Sequence, residues 1–168
     1  FYITETVGNN IRLFTVTVRR RPVYTVSFET NGGTAVQSQQ VEEDSFASRF
    51  TTTTTKTGYT FSCWDYDFAT PITQDTEITA VWTANTDTSY KVEYYLQNLA
   101  DENYTLETTE NKTGTTDTTA TAEIKTFEHF TYSATATDSG KINGDGSTVL
   151  KVYYTRDTYT VTFDGNGG

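Results

Sequence analysis

The sequence predicts a mostly β protein of the α+β class, built from small modules in tandem and containing little helix. About a quarter of the residues are threonine, methionine is absent and leucine is scarce, and this composition favours pleated strands over helices. Apolar and polar residues alternate along most of the chain, which is the pattern of half-buried strands. Residues 23–33 (VYTVSFETNGG) return at 158–168 as TYTVTFDGNGG, so the modules form a repeating series.

The two copies begin at positions 23 and 158, which gives a period of 135 residues. Because this period is longer than a single solenoid repeat, we interpret it as a pair of small modules. The second copy reaches the last residue, and we therefore expect the chain to be a piece of a longer array. Such arrays are typical of structural or adhesive rods.

Residues 1–22 predict a closing hairpin that belongs to a preceding module. Strands are expected at 1–7 and 11–18, with a turn over residues 8–10. The hairpin is followed directly by the first copy of the repeated strand.

The first complete module is predicted at residues 23–84. Tyr24, Val26 and Phe28 alternate with polar residues, so they form the core face of its first strand. Trp82 is expected to close that core against Tyr24 and Phe28. The other expected elements are, in order, a turn at 31–33, a return strand at 36–41, a short helical turn at 46–50, and strands at 56–61 and 76–82.

The second module is predicted at residues 88–156, after a polar linker with a boundary near Asn85. Its expected elements are strands at 90–96 and 104–110, a flexible connection at 114–121, core aromatics at Phe127, Phe130 and Tyr132, and a closing hairpin with its turn at 143–146 and its last strand at 149–154. Residues 157–168 are then the first strand of a following module. Without partners, that strand should fray or dock on a sheet edge.

The composition also argues against nucleic acid and lipid membranes as partners, and against an intrachain disulfide. A net charge of −10 and a pI near 4.4 disfavour binding to nucleic acid and to anionic lipid. No segment reaches the length needed for membrane insertion. Cys63 is the only cysteine and cannot form an intrachain disulfide; its apolar neighbours predict a small buried side chain, with a reactive thiol as the alternative.

Motifs in the first module resemble a known family. The run Tyr24–Thr34, the Lys56-Thr-Gly-Tyr-Thr-Phe61 element with Trp64, and the closing run Ile78–Trp82 are similar to the internalin B-repeat, also called the Listeria-Bacteroides repeat. The chain departs from that pattern at Cys63, where the family usually has glycine, and at 51–55, where it tends to have prolines.

Motifs in the second module resemble a different family. Tyr90-Lys-Val-Glu-Tyr-Tyr-Leu96, Lys112-Thr-Gly-Thr115 and the closing run Val149–Tyr154 are similar to the mucin-binding-protein-like (MucBP-like) repeats of Gram-positive surface proteins. Both resemblances imply β-grasp (ubiquitin-like) modules strung in series on secreted or wall-attached bacterial proteins. Neither implies a catalytic residue.

The residues that could carry catalysis or bind a metal do not form a convincing set. A Cys63–His129 dyad would have to form across two modules, and one cysteine with one histidine is too few for zinc. The loop 138–147 has the glycines of a calcium loop, but its first ligand position is Lys141, so a hairpin turn is the better interpretation. We therefore expect no enzyme activity, no cofactor and no metal.

Three other patterns in the sequence could indicate a modification or a binding surface. Asn103-Tyr-Thr and Asn111-Lys-Thr match the N-glycosylation triplet, which is common by chance in a threonine-rich chain. Lys91 and Lys151 lie on strands and could join an isopeptide link, although alternation places them towards solvent. Most aromatics have core spacing, but Tyr95 and Tyr153 are predicted to point outward and would be the first place to look for a glycan surface.

The sequence therefore predicts a non-catalytic stalk or spacer segment of an extracellular bacterial surface protein or adhesin, at the cell surface or cell wall. Its expected partners are neighbouring repeat modules of the same chain. The alternative is a module that binds a host glycan, mucin or protein through exposed aromatics or sheet edges.

Overall fold

A computed structural model describes residues 2–15, 17–50, 54–134 and 137–167. No helix occurs among these residues, and the predicted mostly β class is confirmed. The strands are β1 (Tyr2–Val7), β2 (Asn10–Thr15), β3 (Val23–Glu29), β4 (Gln39–Glu42), β5 (Tyr59–Trp64), β6 (Thr76–Ala84), β7 (Thr88–Gln97), β8 (Tyr104–Gly114), β9 (Thr119–Thr121), β10 (Phe130–Ser133), β11 (Ser139–Lys141) and β12 (Val149–Arg156). They form two four-stranded sheets and two pairs.

The first four-stranded sheet has the order β4-β3-β6-β5. Its first and last strands, β3 and β6, are parallel and lie at its centre, with Phe28 opposite Ile78. The core under this sheet contains the fully buried Val26 and Ile78 together with Ile72 from the loop before β6. The alternation of β3 therefore identified its core face correctly. Residues 46–50, where a helical turn was expected, have no regular structure.

The tryptophan that packs against Phe28 is Trp64, and this corrects the expected role of Trp82. The Phe28 and Trp64 rings meet edge to face with centroids 5.1 Å apart. The β3–β6 pairing ends at Thr79, so Trp82 lies three residues beyond it and packs edge-on against Phe61, with centroids 5.4 Å apart. The parallel register, which local sequence does not reveal, decides which tryptophan reaches the β3 core.

Cys63 is exposed, so the expectation of a buried thiol was wrong. It lies on β5, which is an edge strand of the first sheet. The alternation of β5 breaks at this point, because Ser62 and Cys63 are both exposed while the next residue, Trp64, turns towards the core.

The second four-stranded sheet has the order β10-β12-β7-β8. Again the first and last strands, β7 and β12, are parallel neighbours at its centre. Tyr94 and Tyr154 are almost completely buried between this sheet and the pair β9–β11, as their alternation predicted. Ala120 of β9 and Ile142, just after β11, complete that core.

The predicted closing hairpin of the second module is not formed. The turn at 143–146 exists, since the Gly146 amide donates to the Asn143 carbonyl at 3.0 Å. However, β11 before it pairs with β9, whereas β12 after it pairs with β7 and β10. The segment 114–121 was expected to be a flexible connection, but it contains β9 and the buried Thr116.

Strands β1 and β2 form the antiparallel hairpin predicted at the start of the chain, with Gly8 at a φ of 65° in its turn. Phe1 and Val16 of that prediction lie outside the described residues. The end of the chain is different: residues 157–165 form no strand, and Tyr159, Val161 and Phe163 are 72%, 73% and 91% exposed.

The chain divides into two compact units. One contains residues 1–54 and 64–80, and the other contains residues 55–63 and 81–168. Strands β5 and β6 each cross this division. The module boundary near Asn85 remains a prediction from the sequence.

Candidate functional site on the second sheet

Three tyrosines of the second sheet form an aromatic group that points away from its core. We call Tyr95, Tyr104 and Tyr153 the tyrosine patch. Tyr95 and Tyr153 are opposite each other in the parallel β7–β12 register. Because their neighbours Tyr94 and Tyr154 point into the core, alternation places both rings on the other face of the sheet. This agrees with the outward direction predicted from the sequence.

The rings of the tyrosine patch cover each other. Tyr95 and Tyr153 are stacked with centroids 5.0 Å apart and planes inclined by 22°. Tyr104, at the start of the edge strand β8, meets Tyr153 edge-on at 5.0 Å. Stacking of this kind stabilises the sheet surface, and it leaves less open ring face for a ligand.

Charged groups on the same face fix the position of Tyr95. Its hydroxyl donates to Glu93 Oε2 at 2.7 Å, and the Lys151 Nζ lies 5.7 Å from the centre of its ring. The hydrogen bond to Glu93, followed by burial, raises the pKa of Tyr95 to about 12. The hydroxyl is therefore neutral and engaged at physiological pH. Glu93 and Lys151 are also opposite each other in the register.

On the inner face of the same sheet, Glu110 of β8 holds two lysines. Lys112 Nζ lies 2.9 Å from Glu110 Oε2, and Lys125 Nζ pairs with Oε1. These bonds, that of Lys125 first, lower the pKa of Glu110. Lys125 also lies over the Tyr94 ring, with its Nζ 4.5 Å from the centroid. The sequence does not reveal this group: Glu110 and Lys112 are two residues apart on β8, but Lys125, between β9 and β10, is brought to them only by the tertiary fold.

The remaining sequence-derived candidates do not converge on a site. His129 has a φ of 65° in the turn before β10, where its ring contacts Glu128 and the hydroxyl of Tyr159. In the loop 143–147, Asp145 accepts a hydrogen bond from the Ser147 amide, and hydrogen bonds from Ser147 lower the pKa of Asp145. That carboxylate therefore stabilises the turn through hydrogen bonds within the loop. Across the described ranges, no three His, Cys, Asp or Glu side chains are grouped as metal ligands would be.

Asn103 and Asn111 are both exposed, in the loop before β8 and on β8 itself. Lys91 is exposed on β7, and Lys151 is half-buried on β12. In the part of the chain that the structure covers, no helix has the length and hydropathy needed to cross a membrane.

Comparison with solved structures finds remote likenesses. A chain described as Streptococcal High Identity Repeats in Tandem (SHIRT) domains 3-4 from a cell surface protein is 18% identical, with a TM-score of 0.30. The alignment covers 79% of this chain and 98% of that chain. No curated protein sequence matches this chain.

In the comparison with protein families, residues 24–106 match the model of the Listeria-Bacteroides repeat domain. The matched segment contains the first four-stranded sheet except Val23, together with β7 and the beginning of β8. It includes the Tyr24–Thr34 run, the Lys56–Phe61 element and the Ile78–Trp82 run on which the sequence resemblance rests. Over this segment, the chain is therefore similar to a repeat domain.

Proposed function

We propose that this chain is a non-catalytic repeat segment that acts as a stalk or spacer in an extracellular protein of the bacterial surface or cell wall. The observation that carries the proposal is the parallel pairing of the first and last strands in both four-stranded sheets. Parallel strands run in one direction, so the chain enters each sheet at one end and leaves it at the other. A module with this topology lengthens the chain instead of folding it back.

The proposed organisation follows the repeated sequence. Residues 23–84 form a B-repeat-like module and residues 88–156 a MucBP-like module, both of the β-grasp type. Residues 1–22 close a preceding module, and residues 157–168 begin a following one. The similarity of residues 24–106 to a repeat domain supports serial modules of one chain as the main partners. The acidic composition fits a solvated surface protein that does not bind nucleic acid.

The stalk proposal is tested by lengthening the chain with its own repeat. Because residues 158–168 correspond to 23–33, one or two copies of residues 34–168 can be appended in register after the last residue. Small-angle X-ray scattering should show the maximum dimension rising by a constant step per copy, on the order of 50 Å for two strand lengths at ~3.3 Å per residue. Growth with roughly the cube root of chain mass would contradict the proposal.

A second candidate function is binding of a host glycan, mucin or protein at the tyrosine patch. It is favoured by the grouping of three outward tyrosines with Glu93 and Lys151 on one sheet face. Mutual stacking of Tyr95 and Tyr153 makes it the weaker candidate. If glycan-array binding is detected and is removed by Tyr153→Ala but kept by Tyr159→Ala, the tyrosine patch is a ligand site.

A further inference from the structure

The turn at residues 56–59 (Lys-Thr-Gly-Tyr) contacts a part of the chain that the sequence assigns to a different module. We call these residues the connector turn. They lie within the predicted first module, yet they belong to the compact unit that contains residues 81–168. Their contacts there are with Thr116, Asp117 and Gly144, which we call the receptor site.

Two glycines allow the connector turn and the receptor site to touch through their backbones. A Cβ atom on Gly144 would lie 2.5 Å from the Thr57 carbonyl oxygen and 2.9 Å from the Gly58 Cα. A Cβ atom on Gly58 would lie 2.3 Å from the Gly144 Cα and 2.9 Å from the Thr116 Oγ1. No side chain larger than hydrogen fits at either position without moving the backbone of the other.

Asn85 joins the connector turn to the receptor site by backbone hydrogen bonds. Its amide donates to the Gly58 carbonyl at 2.9 Å, and its carbonyl accepts from the Thr116 amide at 2.9 Å. Its side-chain oxygen accepts from the Thr60 hydroxyl at 2.8 Å. The residue near which the sequence predicts the module boundary is therefore held by three hydrogen bonds.

A polar contact adds chemical specificity beside the glycines. The Tyr59 hydroxyl donates to Asp117 Oδ2, and Lys141 Nζ lies 2.8 Å from Asp117 Oδ1. The Tyr59 ring also lies under Lys56, whose Nζ is 4.1 Å from the ring centroid. One face of the ring is thus occupied within the connector turn, and the hydroxyl is directed to the receptor site.

We propose that the connector turn is a docking element, and that in a tandem array each such turn seats on the receptor site of the module that follows it. This inference rests on the proposed stalk function and deepens it by naming the partner surface of each repeat. The partner is recognised by a glycine that permits backbone contact and by an aspartate that accepts the tyrosine hydroxyl. The Lys-Thr-Gly-Tyr motif of the B-repeat-like module then serves to join modules in a fixed order.

Gly144→Ala tests the backbone contact. Unlike Gly58, which has a φ of 79°, Gly144 does not have a left-handed backbone, so alanine there adds a methyl group without φ strain. In the full chain, hydrogen exchange of the Asn85 and Thr116 amides should become roughly fivefold faster or more, as expected for loss of a backbone hydrogen bond. Gly165→Ala is the matched control, because no atom lies within 4 Å of the added methyl group.

If Gly144→Ala does not fold, the docking contact can be tested with two side-chain substitutions that do not add atoms to the interface. Tyr59→Phe removes the donor of the polar contact, and Asp117→Gly removes its acceptor at a φ of 65° that glycine tolerates. The double variant should lose less stability than the sum of the two single variants. Additive losses, together with unchanged exchange at Asn85 in Tyr59→Phe, would overturn the docking contact.

The appended-repeat chains then separate this inference from the stalk itself. With Gly144→Ala in every copy, scattering should show a shorter mean dimension and a wider distribution of distances than in the unaltered chains. If the unaltered chains lengthen regularly and the variants lengthen identically, the stalk stands and the connector turn has no joining role. If the unaltered chains do not lengthen, the stalk proposal fails, whatever the exchange data show.

Discussion

Two adjacent residues of β7, Tyr94 and Tyr95, keep their hydroxyl protons for different reasons. Burial, with Glu110 as the next cause, raises the pKa of Tyr94 from 10.0 to about 12. The pKa of Tyr95 rises to about the same value chiefly through its hydrogen bond to Glu93. One hydroxyl is thus protected by the core and the other by a surface carboxylate.

The raised pKa of Tyr94 predicts alkaline instability. The unfolded chain releases this proton near pH 10 and the folded chain near pH 12, so the stabilising contribution is complete below pH 10 and is lost as the pH rises from 10 to 12. Urea unfolding across that range should show a falling free energy of unfolding in the natural chain. Tyr94→Phe should show a shallower fall, after a loss of about 1 kcal/mol at neutral pH for its hydrogen bond to the Glu123 carbonyl. Equal slopes would mean that Tyr94 is not the group that titrates.

Cys63 shows why the direction of a single side chain is hard to predict. It follows Tyr59 and Phe61 at strand spacing and precedes Trp64, so its sequence context is that of a core residue. Only the tertiary fold reveals that β5 is an edge strand and that Trp64 takes the inward position. The competition between two adjacent side chains for one core position is not visible in the local pattern.

At the scale of the element, two nearly identical segments, 24–28 and 159–163, have different environments. In β3, Val26 is completely buried between Tyr24 and Phe28, whereas Val161 between Tyr159 and Phe163 is 73% exposed. The local sequence therefore gives both segments a high β-propensity, and the presence of partner strands decides whether a strand forms.

This contrast gives a matched pair of substitutions. Val26→Ala should lower the free energy of unfolding by about 2 kcal/mol, because it removes buried methyl groups and leaves a cavity. Val161→Ala, in a pentapeptide that differs from 24–28 only by Thr162 in place of Ser27, should change it by less than about 0.5 kcal/mol. Thermal or denaturant unfolding of both variants measures the difference. A comparable loss in Val161→Ala would mean that residues 159–163 are packed in solution.

Strands with clear alternation of apolar and polar residues could be located from the sequence. The pairing of those strands could not. Alternation correctly identified β3, β6, β7 and β12, because the side-chain period of a strand is present in the sequence itself. It did not reveal that β12 would pair with β7 and β10, leaving β11 to β9, because pairing is decided by contacts distant in sequence. The outward direction of Tyr95 and Tyr153 could be anticipated from alternation, whereas the addition of Tyr104 to the tyrosine patch and the receptor site could not.

At the scale of the whole molecule, we propose that residues 157–168 are the first strand of a module and become ordered as a strand only when the other strands of that module are present. Appending residues 34–84 after the last residue supplies the equivalents of β4, β5 and β6 in register. We expect this longer chain to form one more four-stranded sheet, in which the amides of residues 159–163 become protected from hydrogen exchange. Val161→Asp should abolish that protection in the longer chain and leave the original chain unaffected. Exchange as fast as in the original chain would contradict the assignment of this segment as a first strand.

The parallel pairing of first and last strands has a mechanical consequence. In each four-stranded sheet, the chain enters at the start of the first strand and leaves at the end of the last strand. A force applied at these two points pulls the two central, hydrogen-bonded strands in opposite directions along their axes. The bonds between them are then loaded together in shear, and many must break in the same event, whereas a hairpin pulled from its open end loses them one after another. β7 and β12 share a register of six residue pairs from Val149 to Tyr154, so the load is distributed along most of the strand. When such a chain is pulled by its two ends, the force acts along the axes of these central strands, where unfolding requires the highest force.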